Sequence, residues 1–382
     1  MANSNILNDL AKSLRNKDVV KKIFSDMRSN YDKVLNYLDN DKKITIMHVC
    51  GTHEDTLMRH GIRFLLEKEF PKIRMVAGPG CPVCVSPVQD IDFAFQIANK
   101  IPNSVLVSYG DMIRVPGTNG SLETARQQGK TVITVYSVSD AVKIAKKHPH
   151  REIIFISPGF ETTAPTTAIE LKNKPPNNFF VLSSHRLTPP ALYLLSQHPD
   201  LDIQGFILPG HVSVITGSDY YRNFAEEHHI PSAISGFEPV DLILGISSVI
   251  KQLADGLATV HNTYTRAVKK EGNPIAKAAL EEVFDIVDSR WRALGIIPRS
   301  GLELSENYSE YNARIKFEEI KKLVPDPKND HPTGCMCAEV VIGKIEPTQC
   351  PLFKNRCTPE TPVGPCMVGL EGTCRIRAIY YS

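Results

Sequence analysis

The sequence predicts an α/β protein made of two similar parallel-sheet domains, an internal duplication, followed by a cysteine-rich iron–sulfur domain; three observations carry this expectation. At 382 residues the chain exceeds the usual size of a single core. Short β-branched runs bounded by Gly or Pro alternate with helix-like stretches, the pattern of parallel strands covered by helices. Six of the nine cysteines crowd between Cys335 and Cys374.

Residues 1–42 are expected to form an N-terminal helical segment ahead of the first domain, 43–148. Its strands are expected at Ile44–Val49, Arg74–Ala77, Ser104–Ser108 and Thr131–Val135. A second domain, 149–262, repeats the pattern at Glu152–Ser157, Phe179–Ser183, Gly205–Leu208 and Ser232–Ile234. Three echoes in one order support a duplication. GTHE after the first strand parallels PGFE at Pro158–Glu161; GDMIRVPG at Gly110–Gly117 parallels GHVSVITG at Gly210–Gly217; VYSVSDAVKI at Val135–Ile144 parallels ISGFEPVDLI at Ile234–Ile243. From 263 to 382 the pattern changes. Charged helical stretches over Ile275–Leu294 and Ser309–Leu323 lead through a Pro-rich loop at Pro325–Pro332 into the Cys-rich tail, which has too few packing residues to order itself without a staple.

Lys and Arg (44) nearly balance Asp and Glu (42), leaving a formal charge of +2 and no field to gather nucleic acid or an anionic membrane. The start, MANSNILNDLAKSLRNKD, is polar, and apolar runs such as Ile153–Ile156 are strand-sized. A cytoplasmic protein is the expectation. No Walker A or G-x-G-x-x-G pattern follows a strand, so neither nucleotide hydrolysis nor a dinucleotide cofactor is expected.

Cysteine usage of this kind in a chain this long suits metal or redox chemistry better than a disulfide framework. In open parallel sheets, ligands gather beyond the carboxyl ends of strands, and Cys50, Cys81 and Cys84 fall at such ends. Cys50 ends a strand and opens a helical pattern running through Leu57, Phe64 and Leu65, a setting in which the helix dipole favours thiolate; His53 and Glu54 add an imidazole and a carboxylate. The bland alternative is a buried structural cysteine. GPGCPVC at Gly78–Cys84 is a C-x-x-C turn ahead of Ser86–Gln89, which has the spacing of a capping box with Pro87 at the first helical position. Its two thiols suit a reversible disulfide, or half of a zinc site that Cys50 and His53 would complete.

The tail reads Cys335-x-Cys337-x12-Cys350-x6-Cys357-x8-Cys366-x7-Cys374. Six cysteines exceed the four that a four-iron cluster takes, leaving a pair over; a double zinc site is the competitor, although the paired C-x2-C knuckles of zinc modules are absent. Asp111, Glu161, His185, Arg186 and His211 stand at other predicted strand ends, each alone readable as a cap or a satisfied polar group.

CGTHE at Cys50–Glu54, GPGCPVC at Gly78–Cys84, PGFETTAP at Pro158–Pro165, SSHRLTPPA at Ser183–Ala191, LPGHVSVITG at Leu208–Gly217 and the six-cysteine tail together resemble the HypD family of NiFe-hydrogenase maturation factors, from about Lys43 to Tyr381. The resemblance implies two similar α/β domains with a 4Fe-4S domain. It implies a HypC-type chaperone as partner, on which Fe(II) bearing cyanide and carbon monoxide is assembled, a HypE-type cyanide donor, and the hydrogenase large subunit as the indirect recipient. It implies Cys50 as the iron-holding thiolate, His53 and Glu54 orienting or protonating ligands, and Cys81 with Cys84 as a dithiol passing electrons. By analogy with ferredoxin–thioredoxin reductase, Cys335, Cys350, Cys357 and Cys374 are expected to bind the cluster and Cys337 with Cys366 to form a redox dithiol; other divisions fit the sequence equally. The alternative function is a cluster-dependent protein disulfide reductase, and a zinc-stapled interaction protein stands third.

Overall fold

A computed structural model describes residues 15–326 and 330–381. All eight strands expected before residue 262 are present, with no end shifted by more than three residues: β1 Ile44–His48, β2 Ile73–Ala77, β3 Ser104–Ser108, β4 Val132–Thr134, β5 Glu152–Gly159, β6 Phe179–Arg186, β7 Gly205–Pro209 and β8 Ser232–Ser235. Most are buried along their whole length, as strands covered on both faces must be, and so they read as apolar runs.

With β9 at Val260–Asn262 and two further strands, β10 and β11, the strands fall into two sheets, in the orders β2-β1-β7-β8-β9 and β10-β11-β6-β5-β3-β4. The first is parallel throughout. In the second, β4, β3, β5 and β6 are parallel, and the hairpin β10 (Phe284–Trp291) and β11 (Gly295–Leu304) adds on antiparallel. Each sheet belongs to its own compact unit. The first unit comprises the chain up to Gly80, Leu195–Asn273 and the residues from Ile379; the second comprises Cys81–Leu194 and Pro274–Ala378.

This partition corrects the expected succession of 43–148 and 149–262. The echoes equate β1 with β5, β3 with β7 and β4 with β8, and the order of strands adds β2 with β6. Under that mapping the order β2-β1-β7-β8 becomes β6-β5-β3-β4, the order found in the other sheet. The duplication is therefore visible in the fold, but the repeats exchange their last two strands. Strand β1 pairs with β7 rather than with β3 of its own repeat. Local pattern specifies a strand; it does not specify which parallel neighbour completes the sheet, because every such neighbour arrives through a long crossover.

Three further expectations change. Within the N-terminal segment 1–42 the helix covers Lys17–Leu35, with residues 1–14 outside the described residues. The helix expected over 275–294 stops at Val283, and β10 follows, because Phe284-Asp-Ile-Val-Asp-Ser-Arg-Trp291 feeds a turn where Gly295 takes φ +76°. The stretch 309–323 is 3-10 turns around one short helix, Ala313–Lys316. The loop expected over 325–332 includes residues 327–329, which lie outside the described residues.

In the first unit the core joins Ile44, Ile46 and Ile207 of the sheet to Met27 and Tyr31 of the N-terminal helix and to Leu242, Ile246 and Val249 of the helix Pro239–Asp255. In the second, Leu106, Ile154, Ile156 and Leu182 pack under the helix Val88–Lys100, and Val105, Phe155 and Val181 form the core of the opposite face. Among the described residues no helix is long and apolar enough to cross a membrane.

Candidate functional site

Within the first unit, Cys50 follows β1 as the N-cap of the helix Gly51–Arg59, its backbone extended and its carbonyl accepting from the amides of His53 and Glu54. At 8% exposure it is buried but not sealed. Gly51 donates to the Gly80 carbonyl at 3.3 Å, and a Cβ on Gly80 would fall 2.3 Å from the Cys50 nitrogen, so only glycine admits this approach. The helical pattern after Cys50 is two helices, Gly51–Arg59 and Ile62–Glu69, broken where Gly61 takes φ +65°; Phe64 ends up half exposed.

His53 and Glu54 both turn inward and are fully buried. The carbonyls of Ser235 and Gly236 accept from His53 Nε2 at 3.3 and 3.1 Å, which places the ring proton there and leaves Nδ1 as a lone pair without a partner among the described residues. Burial, with His48 adding to it, pushes His53 down to about 3, so the ring is neutral. Glu54 Oε2 accepts from His48 Nε2 at 2.8 Å and from Arg63 Nη2 at 3.1 Å, while Arg63 Nη1 reaches the Met75 carbonyl at 2.6 Å. Phe237 stacks between His53 and His211, with ring centroids at 5.0 and 3.8 Å. The arrangement is a cysteine at a helix start, backed by an imidazole and a carboxylate that internal bonds hold in place.

Within the second unit, Cys81 is the N-cap of the short helix Pro82–Val85, and its Sγ accepts from the Cys84 amide at 3.2 Å. Cys81 and Cys84 are joined by a disulfide. The expected capping box is absent: Ser86 bonds back to the Pro82 carbonyl, and Pro87 is the N-cap of the helix Val88–Lys100 rather than its first residue. The pair packs on the tail. Cys84 Sγ lies 3.8 Å from the Pro365 carbonyl, and a Cβ on Gly369 would sit 3.0 Å from Cys81 Sγ and 3.4 Å from Cys84 Sγ.

The tail thiols form a hydrogen-bonded chain, Cys335 to Cys337 to Cys366 to Cys374. Cys366 is its hub: donation from Cys337 and Cys374 holds it well below the ordinary thiol value, and those two donors are pushed up. Cys357 accepts from the Val363 amide at 3.3 Å and is close enough to Cys374 for its charge to be felt. Cys350 is tied to the same loop through its backbone, with its carbonyl accepting from Phe353. Thus Cys337 and Cys366 are neighbours, whereas Cys335 and Cys374 join them and Cys350 with Cys357 stand on an adjoining turn. Among the described residues, no three His, Cys, Asp or Glu side chains converge tightly enough for a single metal ion. A cluster takes its thiolates at wider spacing, and the donor set suits one: all six are buried or partly buried, none in a disulfide. A Cβ on Gly364 would lie 2.6 Å from Cys335 Sγ, so the chain leaves that sulfur a glycine-walled recess.

Four of the other strand-end residues are held by internal hydrogen bonds, and His211 by its stack on Phe237. Glu161 accepts from the Thr188 amide and hydroxyl, His185 Nε2 pairs with Ser157 Oγ at 3.0 Å, Arg186 reaches the His185 and Arg290 carbonyls, and Asp111 accepts from the Leu370 amide. Sequence reasoning missed His48, Arg63 and Arg292. A histidine inside the apolar run ITIMHV is the one signal of the three that stood out locally.

Two parallel-sheet units, cysteines capping helix starts in each, and a thiol-rich tail define a thiol-bearing α/β protein. The family model described as HypD, hydrogenase formation hypA family, matches residues 21–381. A hydrogenase expression/formation protein of Methanocaldococcus jannaschii is 44% identical over 349 residues, covering 90% of this chain and 94% of that one. The hydrogenase maturation factors HypD of Cupriavidus necator and Escherichia coli are each 39% identical, covering 89% and 87% of this chain and 90% and 88% of theirs. The chain belongs to the HypD family of hydrogenase maturation factors.

Proposed function

We propose that this chain is the scaffold on which, with a small HypC-type chaperone, Fe(II) receives cyanide and carbon monoxide before passing to the large subunit of a NiFe hydrogenase. The iron is cargo. Cys50, deprotonated, holds it together with a cysteine of the chaperone, and a HypE-type protein supplies cyanide. The observation that carries this reading is the position of Cys50: a soft donor suited to low-spin iron, on a helix N-terminus that favours thiolate, at a strand end that is buried but not closed. His53, neutral, offers the Nδ1 lone pair as a hydrogen-bond acceptor that orients ligands, and Glu54 is held as an anchor by Arg63 and His48.

Cys81 and Cys84 act as the two-electron store: reduction breaks their bond and gives two thiols, and reoxidation returns two electrons toward the iron site. The tail thiols recharge the pair, Cys366 attacking as thiolate and Cys337 completing the exchange. Cys335, Cys350, Cys357 and Cys374 would hold a 4Fe-4S cluster, which when bound supplies single electrons. The packing of the disulfide against the strand of chain carrying Cys366 favours this part of the reading, and equally favours the alternative of a cluster-dependent protein disulfide reductase.

Metal analysis of protein purified anaerobically with its maturation partners tests the scaffold reading. Iron in excess of the cluster, lost in Cys50→Ala, is expected. Steady multiple turnover of disulfide reduction without the chaperone, and no excess iron, would favour the reductase.

A further inference from the structure

Arg292 is fully buried and lies next to the C-x-x-C turn. Its amide donates to the Val85 carbonyl at 2.8 Å, Nε to the Ser86 carbonyl at 2.9 Å and Nη2 to the Pro116 carbonyl at 2.9 Å. Val85 ends the helix that carries Cys84, so these bonds clamp the C-terminal end of the disulfide-bearing turn, where carbonyl dipoles welcome a cation. Nη1 has no partner among the described residues.

A buried guanidinium with an unused N–H is costly unless negative charge lies close by. Among the described residues no carboxylate reaches ion-pair contact with Arg292. Asp92 spends both oxygens on Thr118, at 2.7 and 2.6 Å, and Asp330 approaches Arg290. The ionisable groups that act on Arg292 are Cys337 first, then Asp330, Asp92 and Cys335. Burial brings Arg292 down to about 10, which still leaves it charged at neutral pH. One cation thus touches the turn holding Cys81 and Cys84.

We propose that Arg292 is a positioning residue of the thiol pathway, bonding the Val85 and Ser86 carbonyls at the end of the Cys81–Cys84 turn and the Pro116 carbonyl beyond it, and supplying the positive charge that favours the reduced, thiolate-bearing state of that pair. The inference rests on the redox reading of these thiols above. A cation beside a thiolate stabilises the reduced form while leaving the neutral disulfide unaffected, so its removal makes the disulfide harder to reduce.

The test equilibrates the full chain, under argon at pH 7, in mixtures of reduced and oxidised dithiothreitol. Reduced dithiothreitol gives up two electrons, its own sulfurs closing into a ring as the Cys81–Cys84 bond opens, and alkylation with mass spectrometry counts the open pairs. In Arg292→Met the equilibrium is expected to move about tenfold toward the disulfide, a potential about 30 mV more negative. Arg292→Lys, which keeps the charge, is expected to stay within about threefold of the parent. Should Arg292→Met fail to fold by circular dichroism, Arg292→Gln, which keeps amide donors without charge, takes its place with the same expected shift. A folded neutral variant within twofold of the parent, or a lysine variant shifted as far as the neutral one, overturns the role of Arg292. A parent pair that never titrates as a two-electron couple overturns the redox reading itself.

Discussion

His48 donates from Nε2 to Glu54 Oε2 at 2.8 Å, and the two residues, 1% and 0% exposed, lie on either side of Cys50 in the sequence. The carboxylate is shared with Arg63 at 3.1 Å, so β1 and the helices Gly51–Arg59 and Ile62–Glu69 are tied at one oxygen. Removing one member strands the others in a dry interior. Arg63→Met is therefore expected to destabilise the first unit by about 3–5 kcal/mol, and Glu54→Gln by about 1–3 kcal/mol. Urea unfolding followed by circular dichroism measures both; a loss under 1 kcal/mol in Arg63→Met would show that the pair contributes little.

Gly80 and Gly129 make a contrast in cause. A methyl on Gly80 collides with backbone atoms of Cys50 at 2.3 and 2.4 Å, whereas Gly129 has φ +83° and open space around it. Gly129→Ala is expected to cost about 1–2 kcal/mol from its left-handed backbone alone. Gly80→Ala should cost more than 2 kcal/mol and displace Cys50, read as a changed alkylation rate of that thiol under native conditions. Equal costs for the two, with an unchanged rate, would contradict the close approach.

Acid should weaken the second unit through His185. Burial, with Arg186 adding to it, holds the folded ring near 3 against an ordinary 6.5, so the unfolded chain takes up a proton that the folded chain refuses. Its contribution is whole above about 6.5 and is lost progressively as pH falls toward about 3. At pH 5 the loss is about 2 kcal/mol relative to neutral pH. The slope of stability against pH, from urea midpoints, should fall by about one proton in His185→Gln. A slope identical to the parent's would mean that the folded ring is protonated after all.

Gly364→Ala tests the recess beside Cys335. A Cβ 2.6 Å from that sulfur must push it aside, so anaerobically purified variant protein is expected to lose more than half of the visible iron–sulfur absorption. Full absorption in the variant would remove Cys335 from the proposed cluster ligands.

The strands were legible because parallel strands buried on both faces are apolar runs cut by Gly and Pro, as in ITIMH and EIIFISPG. The helix start at Cys50 was legible from the strand-then-turn order; the short helix that Cys81 caps was not, since proline and glycine around it read as a plain turn ahead of Ser86. The exchange of β3 and β4 for β7 and β8 was hidden, since a strand's sequence carries its own burial and says little about its neighbour. The β10–β11 hairpin was hidden by its charged residues, which mimic a solvated helix face; Asp285, Asp288 and Arg290 are in fact an outer edge of the second sheet. Arg63 and Arg292 were invisible for a simpler reason: a buried arginine and a surface one are the same letter, and only the carbonyls that Arg292 clamps distinguish them.

Infrared spectroscopy of the protein purified anaerobically with the proposed chaperone tests the central claim most directly. Cyanide and carbonyl stretching bands are expected in the parent and absent from Cys50→Ala. Bands that persist unchanged in Cys50→Ala would place the iron on other ligands and contradict the account.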